Sequence, residues 1–162
     1  MSAVLRTVVF TMIAPGFWTV LLPYWVLRRG PHRTLASFAV ADAGGFLLIT
    51  MGVVLYLACA FWGFALRGRG TPAPIDPPRK LVVEGPYRIV RNPMYWSVFL
   101  VMAGEALLFR SLTLVEWAAG FFAGTMLFVA LYEEPTLRRK FGAEYEEYCR
   151  QVGRWRPRFK RT

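Results

Sequence analysis

The stretch Gly85-Pro86-Tyr87-Arg88-Ile89-Val90-Arg91-Asn92-Pro93-Met94-Tyr95 packs two arginines, two tyrosines, an amide and a helix-starting proline into one short segment. A second polar cluster, Glu133-Glu134, follows across the next apolar stretch. Paired carboxylates beside aromatic rings suit a cationic or ribose-bearing ligand. A neighbouring guanidinium suits a carboxylate. The chain offers no Ser/His/Asp or Cys/His arrangement near these residues, because its one histidine, His32, stands in another loop. It has no metal-ligand spacing and no Gly-rich phosphate loop, which argues against nucleophilic hydrolysis, metal chemistry and nucleoside-triphosphate use. Two readings of Tyr87, Arg91, Asn92, Tyr95, Glu133 and Glu134 stand at this level. They line a small-molecule pocket, or they form a polar network that caps one apolar helix and joins it to the tail.

The apolar runs must position them. Val8 to Leu27 is about 20 residues without a charge, enough to cross a bilayer as a helix, with Pro15 and Pro23 inside it. Leu35 to Leu66 is a second apolar region. Its span is expected from about Gly45 to Leu66, with Asp42 near the helix N-terminus, where an acid suits the dipole. Asn92-Pro93 is a helix start: Asn is a favoured N-cap and Pro a favoured first residue. A third span from Met94 to about Phe109 is short for a crossing. It contains Glu105, which either marks a functional site facing the bundle or a wet cavity or, the favoured reading, sits near the far interface close enough to Arg110 to pair. Arg110-Ser111 is a tight connection, and Thr113 to Tyr132 is the fourth span, with Glu116 in its first turn. Two crossings joined by a short turn bring Glu133-Glu134 back to the face that holds Arg91 and Asn92.

Composition supports this frame. The 162 residues are 56% hydrophobic and 16% aromatic, with a mean hydropathy of +0.37. That is the balance of an all-α integral membrane bundle of about four transmembrane helices with a cytoplasmic helical C-terminal tail. A single domain over 1–162 is expected, with N-terminal spans in 1–66 and the functional half in 67–162. The net charge of +10 sits in blocks that flank the apolar runs, which fits anionic lipid headgroups rather than nucleic acid. Cys59 and Cys149 lie in unlike surroundings, so no disulfide is expected. The first apolar run lacks a small-residue cleavage pattern and reads as a retained span.

Residues 67 to 80, with four prolines and two glycines, exclude a helix or central strand. They form either a semi-rigid linker or a lid. Tyr87 to Arg91 reads as one helical turn with Tyr87 and Arg91 on one face. The tail reads as helical: Glu133-Glu134-Pro135 opens a segment that ends at Phe141-Gly142. In the next, Tyr145, Tyr148 and Val152 share a face and Gly153 ends the helix. Glu134/Arg138 and Glu146/Arg150 are spaced as i,i+4 pairs. Arg154 to Arg161 alternates basic with aromatic or proline residues and reads as lying on headgroups. The 67–93 loop carries six Lys/Arg and the tail nine, which places both in the cytoplasm, the inner side of a bacterial membrane. The three arginines between Arg28 and Arg33 then fall on the opposite side, and charge does not explain them.

The motif Gly85-Pro86-Tyr87 to Arg91-Asn92-Pro93-Met94-Tyr95, followed by Glu133-Glu134, Leu137, Phe141-Gly142, Tyr145 and Tyr148, resembles the isoprenylcysteine carboxyl methyltransferase and phospholipid methyltransferase superfamily. Gly70-Thr71-Pro72 to Pro77-Pro78-Arg79-Lys80-Leu81-Val82 also resembles bacterial members. The resemblance covers roughly residues 68 to 158. It implies an integral membrane enzyme that uses S-adenosylmethionine. Carried over by position, the cofactor-binding residues are Leu81, Val82, Gly85, Tyr87, Arg91, Asn92, Pro93, Tyr95, Glu133, Glu134 and Leu137, with Arg91 and Glu134 as catalytic residues. Many members have His where this chain has Asn92, and an amide does not titrate near neutrality. Asn92 therefore reads as a positioning residue rather than a base. The implied acceptor is lipid-like, with carboxylate O-methylation favoured over phospholipid amine N-methylation. An NADPH-using membrane reductase and a non-catalytic membrane protein are the competing classes.

Overall fold

A computed structural model describes residues 3–29, 39–60 and 80–158. The Pro-rich loop and the His32 turn lie outside the described residues. Apart from isolated bridges, Val90 to Gly153 among them, the described residues form helices, turns and short connecting stretches. Helix α1 (Ala3–Gly16) passes through a π-helical turn (Phe17–Leu21) into α2 (Leu22–Arg29). Pro15 and Pro23 flank that turn, and the Thr19 hydroxyl donates to the Pro15 carbonyl at 2.9 Å. A proline and a hydroxyl that bonds back to the backbone are ordinary causes of such a break. Helix α3 (Ala39–Leu57) carries Asp42 in its first turn. A 3-10 turn (Gly85–Arg88) precedes α4 (Pro93–Leu108). Helix α5 (Leu112–Phe128) runs through a second π-helical turn (Val129–Glu133) into α6 (Glu134–Phe141), and α7 (Ala143–Gln151) follows.

Among the described residues, three helical rods are long and apolar enough to cross a membrane: Val8–Arg28, Asp42–Ala60 and Leu112–Phe141. The apolar helix Pro93–Leu108 is shorter. Its 16 residues rise about 24 Å, less than the ~30 Å of a hydrocarbon core. The expected third span thus exists as a helix that, as its length implied, falls short of a full crossing. The outward faces are apolar: Met12, Ile13, Phe46, Leu47, Val54 and Leu131 are all exposed.

Close packing of α3 on α4 depends on glycine. A Cβ at Gly52 would lie 2.6 Å from the Ser97 carbonyl oxygen, and one at Gly104 would lie 2.7 Å from that of Gly45. The two backbones touch, as small residues permit in membrane helices. Tyr56, Ala60, Val98, Met102 and Ala118 form the central core, with Trp18, Met94, Phe99 and Phe121 packed against it. Trp18 brings α1 onto this core, and Thr11 and Tyr56 share a hydroxyl–hydroxyl bond of 2.8 Å.

The α4–α5 hairpin turns within Phe109–Ser111, with Arg110 at φ +48. The Ser111 hydroxyl accepts from the Leu114 amide and caps α5. Arg110 reaches across to Asp42 at 2.8 and 2.9 Å, which ties the start of α3 to the end of α4. The expected Arg110–Glu105 pair does not form; the positive-φ turn directs the guanidinium to α3 instead. Glu116 falls in the second turn of α5, because the helix starts at Leu112. The rod also does not stop at Tyr132. A π-helical turn absorbs the approach to Pro135 and carries the helix into α6.

Candidate active site

The site forms where the start of α4, the end of α5 and the C-terminal segment meet. The hairpin does return the glutamates to the arginine motif: the Tyr95 hydroxyl on α4 donates to Glu133 Oε2 at 2.6 Å. Asn92 occupies the N-cap position of α4 and Pro93 its first turn, yet the Asn92 side chain makes no capping bond. Its amide donates instead to the carbonyl of Arg154 at 3.2 Å. Tyr87 and Arg91 do not share a helical face, because the 3-10 turn ends at Arg88 and Val90 pairs with Gly153.

That pairing begins a clasp. Three successive carbonyls of the C-terminal segment accept bonds from the motif. Gly153 accepts from the Arg91 amide at 2.9 Å, Arg154 from Asn92 Nδ2, and Trp155 from Trp96 Nε1 at 3.1 Å. The Trp155 ring packs on Tyr95 and Phe122 with centroids 6.3 and 5.2 Å away. Arg154 and Trp155 are thus built into the site, which corrects their placement on headgroups. A Cβ at Gly153 would sit 2.0 Å from the Arg156 carbonyl oxygen, so only glycine allows the turn.

Glu134 is the electrostatic hub. Its side chain is 5% exposed. Arg154 Nε and Nη2 grip its two oxygens at 2.7 Å each, and Arg91 Nη2 stands 3.1 Å from Oε1. The hydrogen bond from Arg154 to this carboxylate raises the pKa of its guanidinium further. Arg91 also contacts the Cys149 thiol and lies over the Tyr145 ring at 5.9 Å. Its Nε is buried without a hydrogen-bond partner among the described residues. The i,i+4 pairs expected in the tail are replaced: Arg138 pairs with Glu146 across the α6–α7 turn, and Arg150 with Glu147.

Tyr145, Tyr148 and Val152 do share a buried face, packed with Leu81, Leu137, Phe141 and Cys149. The Tyr148 hydroxyl donates to the Tyr87 carbonyl at 2.7 Å, and burial raises its pKa, so it stays a donor. Burial likewise pushes the Tyr87 phenol well up.

A cavity of about 880 Å³ opens from this cluster. Its polar end is lined by Tyr87, Arg91, Asn92, Tyr95 and Glu133, its mainly apolar limb includes Phe10, Trp18, Val98, Phe121 and Phe128, and Glu116 and Thr125 of α5 also line it. Of the residues expected to bind a cofactor, these five reach it. Leu81, Val82, Gly85, Pro93, Glu134 and Leu137 do not line it. Leu81 and Leu137 serve the tail cluster, Pro93 is buried in the first turn of α4, and Gly85 is exposed in a positive-φ turn. Two walls were missing from the sequence reading. One is α1, through Phe10, Ala14, Pro15 and Trp18. The other is the open strip on α5 at Gly120 and Gly124, where an added Cβ would meet nothing within 4 Å. Their i,i+4 spacing was the available signal. Among the described residues, no group of three or more His, Cys, Asp or Glu is placed to hold a metal.

The model of the phospholipid methyltransferase family matches residues 40–144. The chain belongs to that family. The match takes in α3, the arginine motif, the hairpin and both glutamates. A nickel-cobalt-cadmium resistance protein, NccN, of Alcaligenes xylosoxydans xylosoxydans is 32% identical over 114 residues, 70% of this chain and 48% of its own length. Probable protein-S-isoprenylcysteine O-methyltransferases of the indica and japonica subspecies of Oryza sativa are each 40% identical over 79 residues, 45% of this chain and 38% of theirs. The matches thus span about half the length of these curated relatives, or less. No solved structure matches the chain. Within the matched residues, Tyr87, Arg91, Asn92, Tyr95 and Glu133 line one cavity.

Proposed function

We propose that this protein is an S-adenosylmethionine-dependent methyltransferase of a lipid-like acceptor, and that it methylates a carboxylate. The observation that carries the reading is the cavity, which joins a charged end to an apolar limb between membrane helices. The donor set suits the cofactor. The buried, unpartnered Arg91 Nε is a donor for its carboxylate, Glu133 an acceptor for its ammonium or ribose hydroxyls, and Asn92 and Tyr87 complete the rim. S-adenosylmethionine, when bound, supplies an electrophilic methyl group on a sulfonium. The chain's task is then to orient the two ligands and exclude water. Family membership and the named resemblance to isoprenylcysteine O-methyltransferases support the same reaction class.

A carboxylate acceptor gives up no proton on methylation and needs no base. Arg91 then steers, and Glu134 holds Arg91. The apolar limb takes the acceptor's hydrocarbon tail, entering from the bilayer. By the excess of Lys and Arg in the tail and the preceding loop, the charged end faces the cytoplasm. Phospholipid amine N-methylation is the second reading, favoured by Glu133. That carboxylate stands at the cavity, where it could take a proton. Glu105 could not, since it does not line the cavity and lies about 18 Å along α4 from Pro93.

The test is to incubate membranes containing the protein with methyl-labelled S-adenosylmethionine and extract the lipids. An O-methyl ester releases labelled methanol in alkali; an N-methyl product keeps its label. Label in neither form, with no binding of S-adenosylhomocysteine at millimolar concentration, would refute both readings.

A further inference from the structure

Arg154 bonds Asn92, which lines the cavity, and Glu134, which stands behind it, without lining the cavity itself. Its guanidinium holds both oxygens of Glu134 at 2.7 Å, and Glu134 in turn stands 3.1 Å from Arg91. Its carbonyl holds the Asn92 amide at 3.2 Å. Glu134 is almost wholly buried, whereas the Arg154 side chain is 40% exposed. The exposed arginine therefore supplies the outer half of the charge balance around a carboxylate whose inner half is Arg91. With the fork in place, both Glu134 oxygens are fixed and Arg91 has one position to pair from. Without it, Glu134 is free to turn toward Arg91 and draw its guanidinium away from the cavity.

We propose that Arg154 is a positioning residue for the methyl-transfer site: acting through Glu134, it fixes the Arg91 guanidinium at the polar end of the cavity. The inference rests on the cofactor reading above. It predicts an ordered dependence. Arg154 has no effect of its own on ligand binding beyond what passes through Glu134 and the Asn92 contact. Of these, the backbone carbonyl survives any side-chain substitution.

The experiment uses the full chain in lipid nanodiscs and S-adenosylhomocysteine as the titrated probe, with R154A, R154K, E134Q and the R154A/E134Q pair. Melting temperature is read on each to establish folding. R154A should weaken the probe's Kd by about tenfold, within the range of coupling between residues in one ion-pair network. R154K should recover part of that loss, since an ammonium replaces the charge but not the two-pronged fork. In the E134Q background R154A should cost nothing further. A merely structural arginine would lower the melting temperature and leave Kd unchanged. R154A binding as tightly as wild type, or its full effect persisting on E134Q, overturns the inference alone. A folded wild-type chain that binds no S-adenosylhomocysteine removes the cofactor reading and this inference with it.

Discussion

Glu134→Gln keeps the shape of the hub and removes its charge. The carboxylate is 5% exposed and faces Arg91, whose side chain is 10% exposed, and Arg154, at 40%. The two arginines do not lose equally. Arg154 can rehydrate, so its share is that of a surface pair, about 0–1 kcal/mol. Arg91 is left as a buried cation facing an amide, and breaking a buried pair by removing one partner costs about 3–5 kcal/mol. The retained amide oxygen still accepts one hydrogen bond, which puts the total near the lower end, about 3 kcal/mol. For a chain of this size each kcal/mol moves the melting temperature by about 2–4 °C, so the shift should be about 6–12 °C downward. Intrinsic tryptophan fluorescence during heating in nanodiscs measures it, since Trp96 and Trp155 lie beside the cluster. Glu147→Gln is the control, because that carboxylate pairs with Arg150 at the surface, and it should melt with the wild type. A Glu134→Gln chain that melts within about 2 °C of wild type would refute the hub, and with it the claim that the tail is locked to the arginine motif through one carboxylate.

Three further outcomes are expected. Gly52→Leu should destabilise by about 1–3 kcal/mol or more, seen as a lower melting temperature, because its Cβ would meet the Ser97 carbonyl oxygen at 2.6 Å; unchanged melting would mean that α3 and α4 are not in backbone contact. Gly124→Leu fills open cavity space. It should cut methyl incorporation into a long-chain acceptor while S-adenosylhomocysteine affinity stays within about twofold, as expected where the two ligands occupy separate parts of one pocket. Equal loss of both would place the cofactor, not the tail, against α5. Tyr95→Phe deletes the 2.6 Å bond to Glu133 and should cost about 1.5–3 kcal/mol, the range for a hydrogen bond to a charged group, read as a lowered melting temperature. A neutral result would show that water replaces the hydroxyl.

The hairpin was legible in the sequence because its signals are local. Asn92-Pro93 marks a start, Arg110-Ser111 a turn, and the run between Thr113 and Tyr132 fixes where Glu133 returns. Each depends on residue type at a short spacing. The paired face of Tyr145, Tyr148 and Val152 was legible for the same reason. Ion-pair partners were not. Glu134 and Arg138 have suitable spacing, yet Glu134 lies in the first turn of α6 and faces inward, where Arg91 and Arg154 outcompete an exposed neighbour. Helix spacing says which groups share a face, not which face is buried. Likewise Arg110 had an acid five residues back, but a positive φ carried it to Asp42 on another helix.

The clasp was illegible for a deeper reason. Its acceptors are the carbonyls of Gly153, Arg154 and Trp155, and backbone groups have no residue code. Of the donors, the Arg91 amide is backbone too; only the Asn92 and Trp96 side chains are readable, and Asn92 has a simpler local role as N-cap. Asn92 shows how the simpler role fails. At the N-cap position its side-chain oxygen makes no bond to the first turn of α4, while its amide nitrogen donates to a carbonyl 62 residues away. Asn92 therefore serves the closure of the C-terminal segment over the motif as much as the cavity. Asn92→Asp should make the point directly. A carboxylate cannot donate to the Arg154 carbonyl and would face it across about 3 Å, so the clasp should loosen even though an aspartate is as good an N-cap as asparagine. Faster trypsin cleavage after Arg154 in the variant would report the loosening. A cleavage rate equal to wild type would show that the segment is held without the Asn92 bond.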